Sequence, residues 1–187
     1  MQKIHSLYLR DKANPKLVTR EPDPKCTWVL RGHGVATVKH NGTACLVEAG
    51  MLYRRLHHKA ANGAPPEGWV HWSGDPKQTN GHGWLPVQDC AEDRYHLEAW
   101  NRPGANCWND GTYELVGPKV QGNPYALTRH HLIRHGAAKL EGVPRSYDDL
   151  AEWMAYKSHP FEGVVWHWKQ ADGSLWYAKI KRSDFGL

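Results

Sequence analysis

Four side chains in this sequence have the types and setting to do chemistry together: Lys39, Glu162, Lys179 and Lys181. Lys39 ends an apolar alternation from Gly34 to Val38 and stands just before Asn41-Gly42. Glu162 opens the run Glu162-Gly163-Val164-Val165-Trp166-His167-Trp168, and Lys179 and Lys181 alternate with Ala178 and Ile180. Amines grouped near one carboxylate suit a phosphate-bearing ligand. On pattern alone the plainer readings stay open: a surface lysine beside a turn, and a solvated charged face.

The elements that must position these residues are short strands. Asn-Gly tolerates positive φ at both positions, so Asn41-Gly42 predicts a hairpin that returns through Thr43 to Glu48, with a third strand from Met51 to Leu56 after Ala49-Gly50. Near the C-terminus, Phe161–Trp168 and Leu175–Lys181 predict a second hairpin closed by Asp172-Gly173. A two-residue loop there places Trp166 opposite Lys179 and Val164 opposite Lys181. Alternation then puts Glu162, Val164, Trp166, Tyr177, Lys179 and Lys181 on one face, with Gly163, Val165, Trp176, Ala178 and Ile180 on the core face.

Elsewhere, residues 1–33 read as an irregular segment punctuated by Asn14-Pro15 and Glu21-Pro22-Asp23-Pro24, with a short strand at Cys26–Leu30. Asn62–Asp89 is rich in Gly, Pro and Trp, which predicts two short extended pieces joined by a turn. Arg94–Trp100 and Gly111–Val116 read as strands, with a turn at Arg102-Pro103-Gly104, and Leu132-Ile133 is strand-like. One helix is well marked: Ser146 as N-cap with Asp149 three residues on, then Leu150, Trp153, Met154 and Lys157 at helical spacing, stopped by His159-Pro160.

At 187 residues the chain is read as one domain, an irregular segment at 1–33 and a catalytic core at 34–187. No apolar run approaches the length of a membrane span, and the N-terminus lacks the apolar stretch of a signal peptide. Cys26, Cys45, Cys90 and Cys107 are widely spaced without a C-x-x-C pair, so reduced thiols and a cytoplasmic location are expected. A net charge of +5 with 13 histidines uncounted favours a polyanionic partner, nucleic acid or nucleotide.

Four segments, taken in order, resemble the motifs of the covalent nucleotidyltransferases, the superfamily of DNA ligases, RNA ligases and mRNA capping enzymes. Lys39-His40-Asn41-Gly42 resembles the lysine motif K-x-D-G, and Tyr113-Glu114-Leu115-Val116-Gly117 the third motif. Glu162-Gly163-Val164-Val165 resembles the fourth, and Ala178-Lys179-Ile180-Lys181 the fifth. Asn41-Gly42-Thr43-Ala44-Cys45, Leu52-Tyr53-Arg54-Arg55-Leu56, Gly83-Trp84-Leu85-Pro86-Val87, Gln121-Gly122-Asn123-Pro124-Tyr125 and His135-Gly136-Ala137 are similar to segments of the ATP-dependent 5′–3′ RNA ligases, the family with a small vertebrate member. The resemblance spans about residues 35–187.

It implies an α+β fold, antiparallel sheets flanked by helices, of the adenylation-domain type. DNA ligases and capping enzymes carry a sixth motif on an OB domain, whereas this chain ends six residues after Lys181, so no OB domain is expected. It also implies three steps: transfer of AMP from ATP to a lysine, transfer of AMP to an RNA 5′-phosphate, and displacement of AMP by a 3′-hydroxyl. By resemblance Lys39 is the nucleophile, and Val38, Arg55, Glu114, Lys179 and Lys181 bind the nucleotide. Glu114 holds ribose, Glu162 serves metal or α-phosphate, and Arg54 points to the face opposite Arg55.

The partners implied are ATP, Mg²⁺ (Mn²⁺ as an alternative) and RNA with 5′-phosphate and 3′-hydroxyl ends, with no membrane. An amine attacks phosphorus only when neutral, and at a reference pKa of about 10.4 only about 1 in 2,500 lysines is neutral at pH 7. Burial and neighbouring cations shift that balance.

Asn41 departs from the motif, which has an acid there. It keeps open a non-catalytic nucleotide- or RNA-binding module of ligase descent, and a GTP-dependent guanylyltransferase is a third reading. His130, His131 and His135 invite a zinc reading, but phosphate contact or packing fits them better without nearby cysteines. Trp69, Trp72 and Trp84 offer stacking surfaces, with packing as the default. Glu67 and Glu98 are candidate additional acids.

Overall fold

The computed structural model describes residues 4–102, 108–156 and 161–187. The chain divides into two compact units, a central one of Asn41–His135 and a flanking one of Lys3–His40 with Gly136–Leu187. In chain order the flanking unit begins with β1 (His5–Ser6), β2 (Tyr8–Arg10), β3 (Val18–Pro22), the helical turn α1 (Thr27–Leu30) and β4 (Val35–Lys39). The central unit holds β5 (Thr43–Glu48), β6 (Met51–His58), β7 (Val70–His71), β8 (Gly81–Pro86), α2 (Arg94–Trp100), β9 (Gly111–Val116) and β10 (His131–Arg134). The flanking unit then resumes with α3 (Tyr147–Ala155), β11 (Gly163–Lys169) and β12 (Leu175–Lys181). The class is α+β with mainly antiparallel pairing, as expected.

The flanking unit is built on a four-stranded sheet, β1-β12-β11-β4, in which only the β1–β12 pair among the described strands is parallel. Val164, Trp166, Ala178 and Ile180 are fully buried on one face and pack with Leu7, Leu150 and Met154. Residues 1–33 are thus less irregular than their prolines suggest. Leu7 and Tyr8 enter this core, and Cys26–Leu30 is helical rather than a strand. α3 starts where predicted, with Ser146 Oγ accepting from the Asp149 amide.

The central unit is a six-stranded sheet, β10-β9-β5-β6-β8-β7. One face carries Cys45, Val47, Leu52, Tyr113, Leu115 and Leu132, packed against Ala99, Tyr95 and Trp100 of α2. Arg94–Trp100 is therefore a helix, not the expected strand. His96 and Ala99 are buried three residues apart while Arg94 and Glu98 are exposed four apart, which is a helical and not an alternating pattern.

Two hairpin expectations need correction. β4 and β5 do not pair; they belong to different sheets, and neither Asn41 nor Gly42 has positive φ. Gly42 is required for another reason: a Cβ there would strike the Leu115 carbonyl and lie 2.8 Å from Glu114 Cγ. The tight turn falls instead at Ala49-Gly50 (φ 50° and 75°), joining β5 to β6. In the C-terminal hairpin the Gln170 amide donates to Ser174 O, so the loop is Ala171–Gly173, one residue longer than expected, with Gly173 at φ 84°. The extra residue shifts the register, and Lys181 faces Gly163 while Lys179 faces Val165.

The turn at Arg102-Pro103-Gly104, the helix stop at His159-Pro160, Lys157 and Cys107 lie wholly or partly outside the described residues. Among the described residues no helix is long and apolar enough to cross a membrane.

A Cβ on Gly83 would collide with the Trp69 ring, which is buried and donates its indole N–H to Leu56 O at 3.3 Å. Gly83→Ala is therefore expected to destabilise the central unit by about 1–3 kcal/mol through overpacking, measured by chemical denaturation with tryptophan fluorescence.

Candidate active site

In the flanking unit the shifted register brings the sequence-predicted lysines together. Gly163 is opposite Lys39 on one side and Lys181 on the other, so the three stand in a single row across β4, β11 and β12. Two strand spacings separate the outer members, about 10 Å between backbones. The middle residue admits no side chain, because a Cβ there would run into the Ile180 carbonyl. Lys179 lies on the same face, two residues along β12, opposite Val165 and Thr37.

Glu162 reaches this face because alternation slips beside it. Phe161 and Val164 both pack into the core, so Glu162 turns the other way just before β11 begins. Its amide donates to Lys39 O at 3.0 Å, and its carbonyl accepts from the Arg182 amide at 2.9 Å. The backbone of Glu162 is thus fixed between two strands. Lys39 Nζ donates to Oε2, and Lys181 Nζ lies 3.5 Å from Oε1. The expected face was right for both β12 lysines and for Glu162, and wrong for Val164 and Trp166, which are in the core.

Three cations and one carboxylate leave a net positive set. Burial, and after it the like charges of Lys39 and Lys181, hold the Lys179 amine below the ordinary lysine range. A ligand with several negative charges relieves that repulsion.

Supports that were not visible in the sequence surround the row. Asp184, buried beyond the end of β12, accepts from the Lys181 amide at 2.9 Å and from Arg10 Nη1 at 2.8 Å. The Thr37 hydroxyl donates to Val165 O at 2.9 Å and stands 3.0 Å from His167 Nε2. Val38 points to the core side, and its amide donates to Ala138 O at 2.8 Å.

The central unit carries the other two predicted nucleotide residues. Ala44 is opposite Glu114, and continuing the β5–β6 register places it opposite Arg55, so Glu114 and Arg55 flank a small residue on one face. That face is opposite the α2 core. Arg54 points the other way, as expected, and its Nε lies 2.7 Å from Asp93 Oδ1. His135 Nε2 lies 2.7 Å from Glu114 Oε2, and its Nδ1 lies 3.0 Å from Thr112 Oγ1. This contact depends on the β9–β10 register, for which the sequence carries no separate signal.

The remaining candidates have other work. His130 is buried, 2.7 Å from Glu98 Oε2 and stacked on Tyr95; His131 meets Arg102. Trp69 and Trp84 are buried, Trp72 is half-buried, and Glu67 is exposed. Among the described residues no three His, Cys, Asp or Glu side chains group to hold a metal ion. Glu162 alone fits Mg²⁺ in the way that ion is usually held near nucleotides, through one or two carboxylates and the phosphates themselves.

With this geometry in place, comparison with known proteins gives a consistent result. The family model described as RNA ligase 1 matches residues 71–187, a stretch containing Glu114, Glu162, Lys179 and Lys181. The chain is similar to RNA ligase 1 of Danio rerio, 30% identical over 158 residues that make up 73% of this chain and 47% of that protein. It is also similar to RNA ligase 1 of Pongo abelii, 40% identical over 83 residues, 41% of this chain and 24% of that protein. The matched stretch is thus less than half the length of each of these relatives.

Lys179 also sets a pH dependence. Its folded pKa lies below the unfolded 10.5, so between the two the unfolded chain binds more protons and stability rises with pH. Below that window the penalty is fully present. Lys179→Met is therefore expected to raise the melting temperature at neutral pH and to flatten its rise on the alkaline side, read from thermal unfolding between about pH 7 and pH 10.

Proposed function

We propose that this chain, which belongs to the RNA ligase 1 family, is the AMP-transferring part of an ATP-dependent RNA ligase. The observation that carries this reading is the convergence of Lys39, Glu162, Lys179 and Lys181 on one sheet face. These residues come from segments up to 142 positions apart in the sequence.

In the first step Lys39 Nζ attacks the α-phosphorus of ATP. The N–P bond forms, the P–O bond to pyrophosphate breaks, and the proton of the amine is released to solvent. Lys179 and Lys181 bind the phosphate oxygens and stabilise the charge that develops as the leaving group departs. Mg²⁺, held by Glu162 and the phosphates, would neutralise that polyanion when bound.

The AMP then passes to the 5′-phosphate of an RNA end, forming a phosphoanhydride and returning the lysine. A 3′-hydroxyl attacks that 5′-phosphate, AMP leaves, and the strand is sealed. Glu114 and Arg55 are assigned to ribose and phosphate by resemblance to the ligase motifs. The backbone amide of Asn41 donates to the Tyr125 hydroxyl at 2.7 Å, a bond that an acid at this position would make equally.

The protein incubated with Mg²⁺ and ATP is expected to gain one AMP, mapped to Lys39 by peptide mass spectrometry. Lys39→Ala abolishes the adduct, and Lys181→Ala slows its formation by about 100-fold. GMP transfer from GTP would make the chain a guanylyltransferase. No adduct with either nucleotide would leave a binding module. RNA with 5′-phosphate and 3′-hydroxyl ends is expected to be joined in preference to matched DNA.

A further inference from the structure

The central unit carries a second feature on the face that holds Glu114 and Arg55. Toward the β7 edge that face continues as a ladder of rings. The register pairs His57 with His82, and the Trp72 amide donates to His82 O at 3.1 Å, which places Trp72 next in line. The His57 and His82 ring centres are 4.5 Å apart, and those of His82 and Trp72 are 4.8 Å apart.

Arg55 precedes His57 by two residues on β6 and so shares the face. His57 is exposed, and His82 and Trp72 are half-buried. The apolar core of this unit is on the other side of the sheet, against α2. Trp84, opposite Arg55 on this same face, is buried, whereas the three rings beyond it keep part of their surface exposed.

We propose that Trp72, His82 and His57 form a stacking platform for an unpaired base of single-stranded RNA, beside the nucleotide-binding Arg55. The rings are tilted to one another by 44° (His57 and His82) and 43° (His82 and Trp72). Aromatic faces accept any base because every base has a π-face, while an arginine beside them adds charge complementarity. Burial, and after it the neighbouring Arg55, His57 and His71, lower the proton affinity of the His82 ring. The choice of RNA as occupant rests on the ligase reading. The stacking geometry does not.

The test is fluorescence anisotropy with a fluorescein-labelled oligo(A) of about twelve nucleotides, single-stranded or annealed to its complement. Trp72→Ala is expected to weaken single-strand binding by about 5- to 100-fold, and Trp72→Tyr, which keeps a ring, to stay within about threefold of the parent. Equal affinity of Trp72→Ala and the parent, or equal Trp72-dependent binding of the duplex, overturns the proposal.

Should Trp72→Ala fail to fold, photocrosslinking of a 4-thiouridine oligonucleotide to the unaltered protein decides. Adducts on Trp72, His82 or His57 support the platform, and adducts found only elsewhere overturn it. AMP transfer to the unaltered protein, measured alongside, reports on the ligase reading by itself. No AMP adduct with Trp72-dependent RNA binding sinks that reading and leaves the platform standing. An adduct with Trp72-independent binding does the reverse.

Discussion

Lys39 and Lys181 carry like charges on one face of a sheet, and Glu162 is what makes that arrangement tolerable. Its carboxylate reaches one amine with each oxygen, and its backbone is hydrogen-bonded to Lys39 on one side and Arg182 on the other. Those bonds fix the backbone of Glu162, and the two amines hold the carboxylate itself. Yet one negative charge does not balance three positive ones once Lys179 is included. The site therefore favours a polyanion, and Lys179, the most crowded of the three, shows the cost as a lowered proton affinity.

Gly163 is the second requirement of that row. A Cβ there would run into the Ile180 carbonyl, so the position admits no side chain without moving β12. The Glu162 carboxylate occupies the space between the flanking amines. In the central unit Ala44, between Glu114 and Arg55, and Gly42, against Glu114 and Leu115, use the same device. Small residues sit where functional side chains from neighbouring strands must share one surface.

How far this was legible in the sequence varies with the kind of signal. The strands read at 43–48, 51–56, 111–116, 161–168 and 175–181 match β5, β6, β9, β11 and β12 to within two residues at each end, and the start of α3 followed from Ser146 and Asp149. Asn41-Gly42 misled because the turn residue pair says only that positive φ is tolerated; here neither residue uses it, and Gly42 serves close packing instead. The C-terminal register was missed by one because Asp172-Gly173 fits a three-residue loop with Gly173 left-handed as well as a two-residue one. Arg94–Trp100 was misread because its apolar residues suit either period over only seven positions. Pairings such as His135 with Glu114 and Arg10 with Asp184 depend on which strands meet, and alternation within one strand carries no information on that.

The measurement that bears most directly on this account is a crystal structure of the protein with Mg²⁺ and a non-hydrolysable ATP analogue. The account predicts the α-phosphate above Gly163, within hydrogen-bonding reach of Lys39 Nζ and of Lys179 or Lys181. A nucleotide whose phosphates lie away from this row, with Lys39 still engaged only by Glu162, would contradict it.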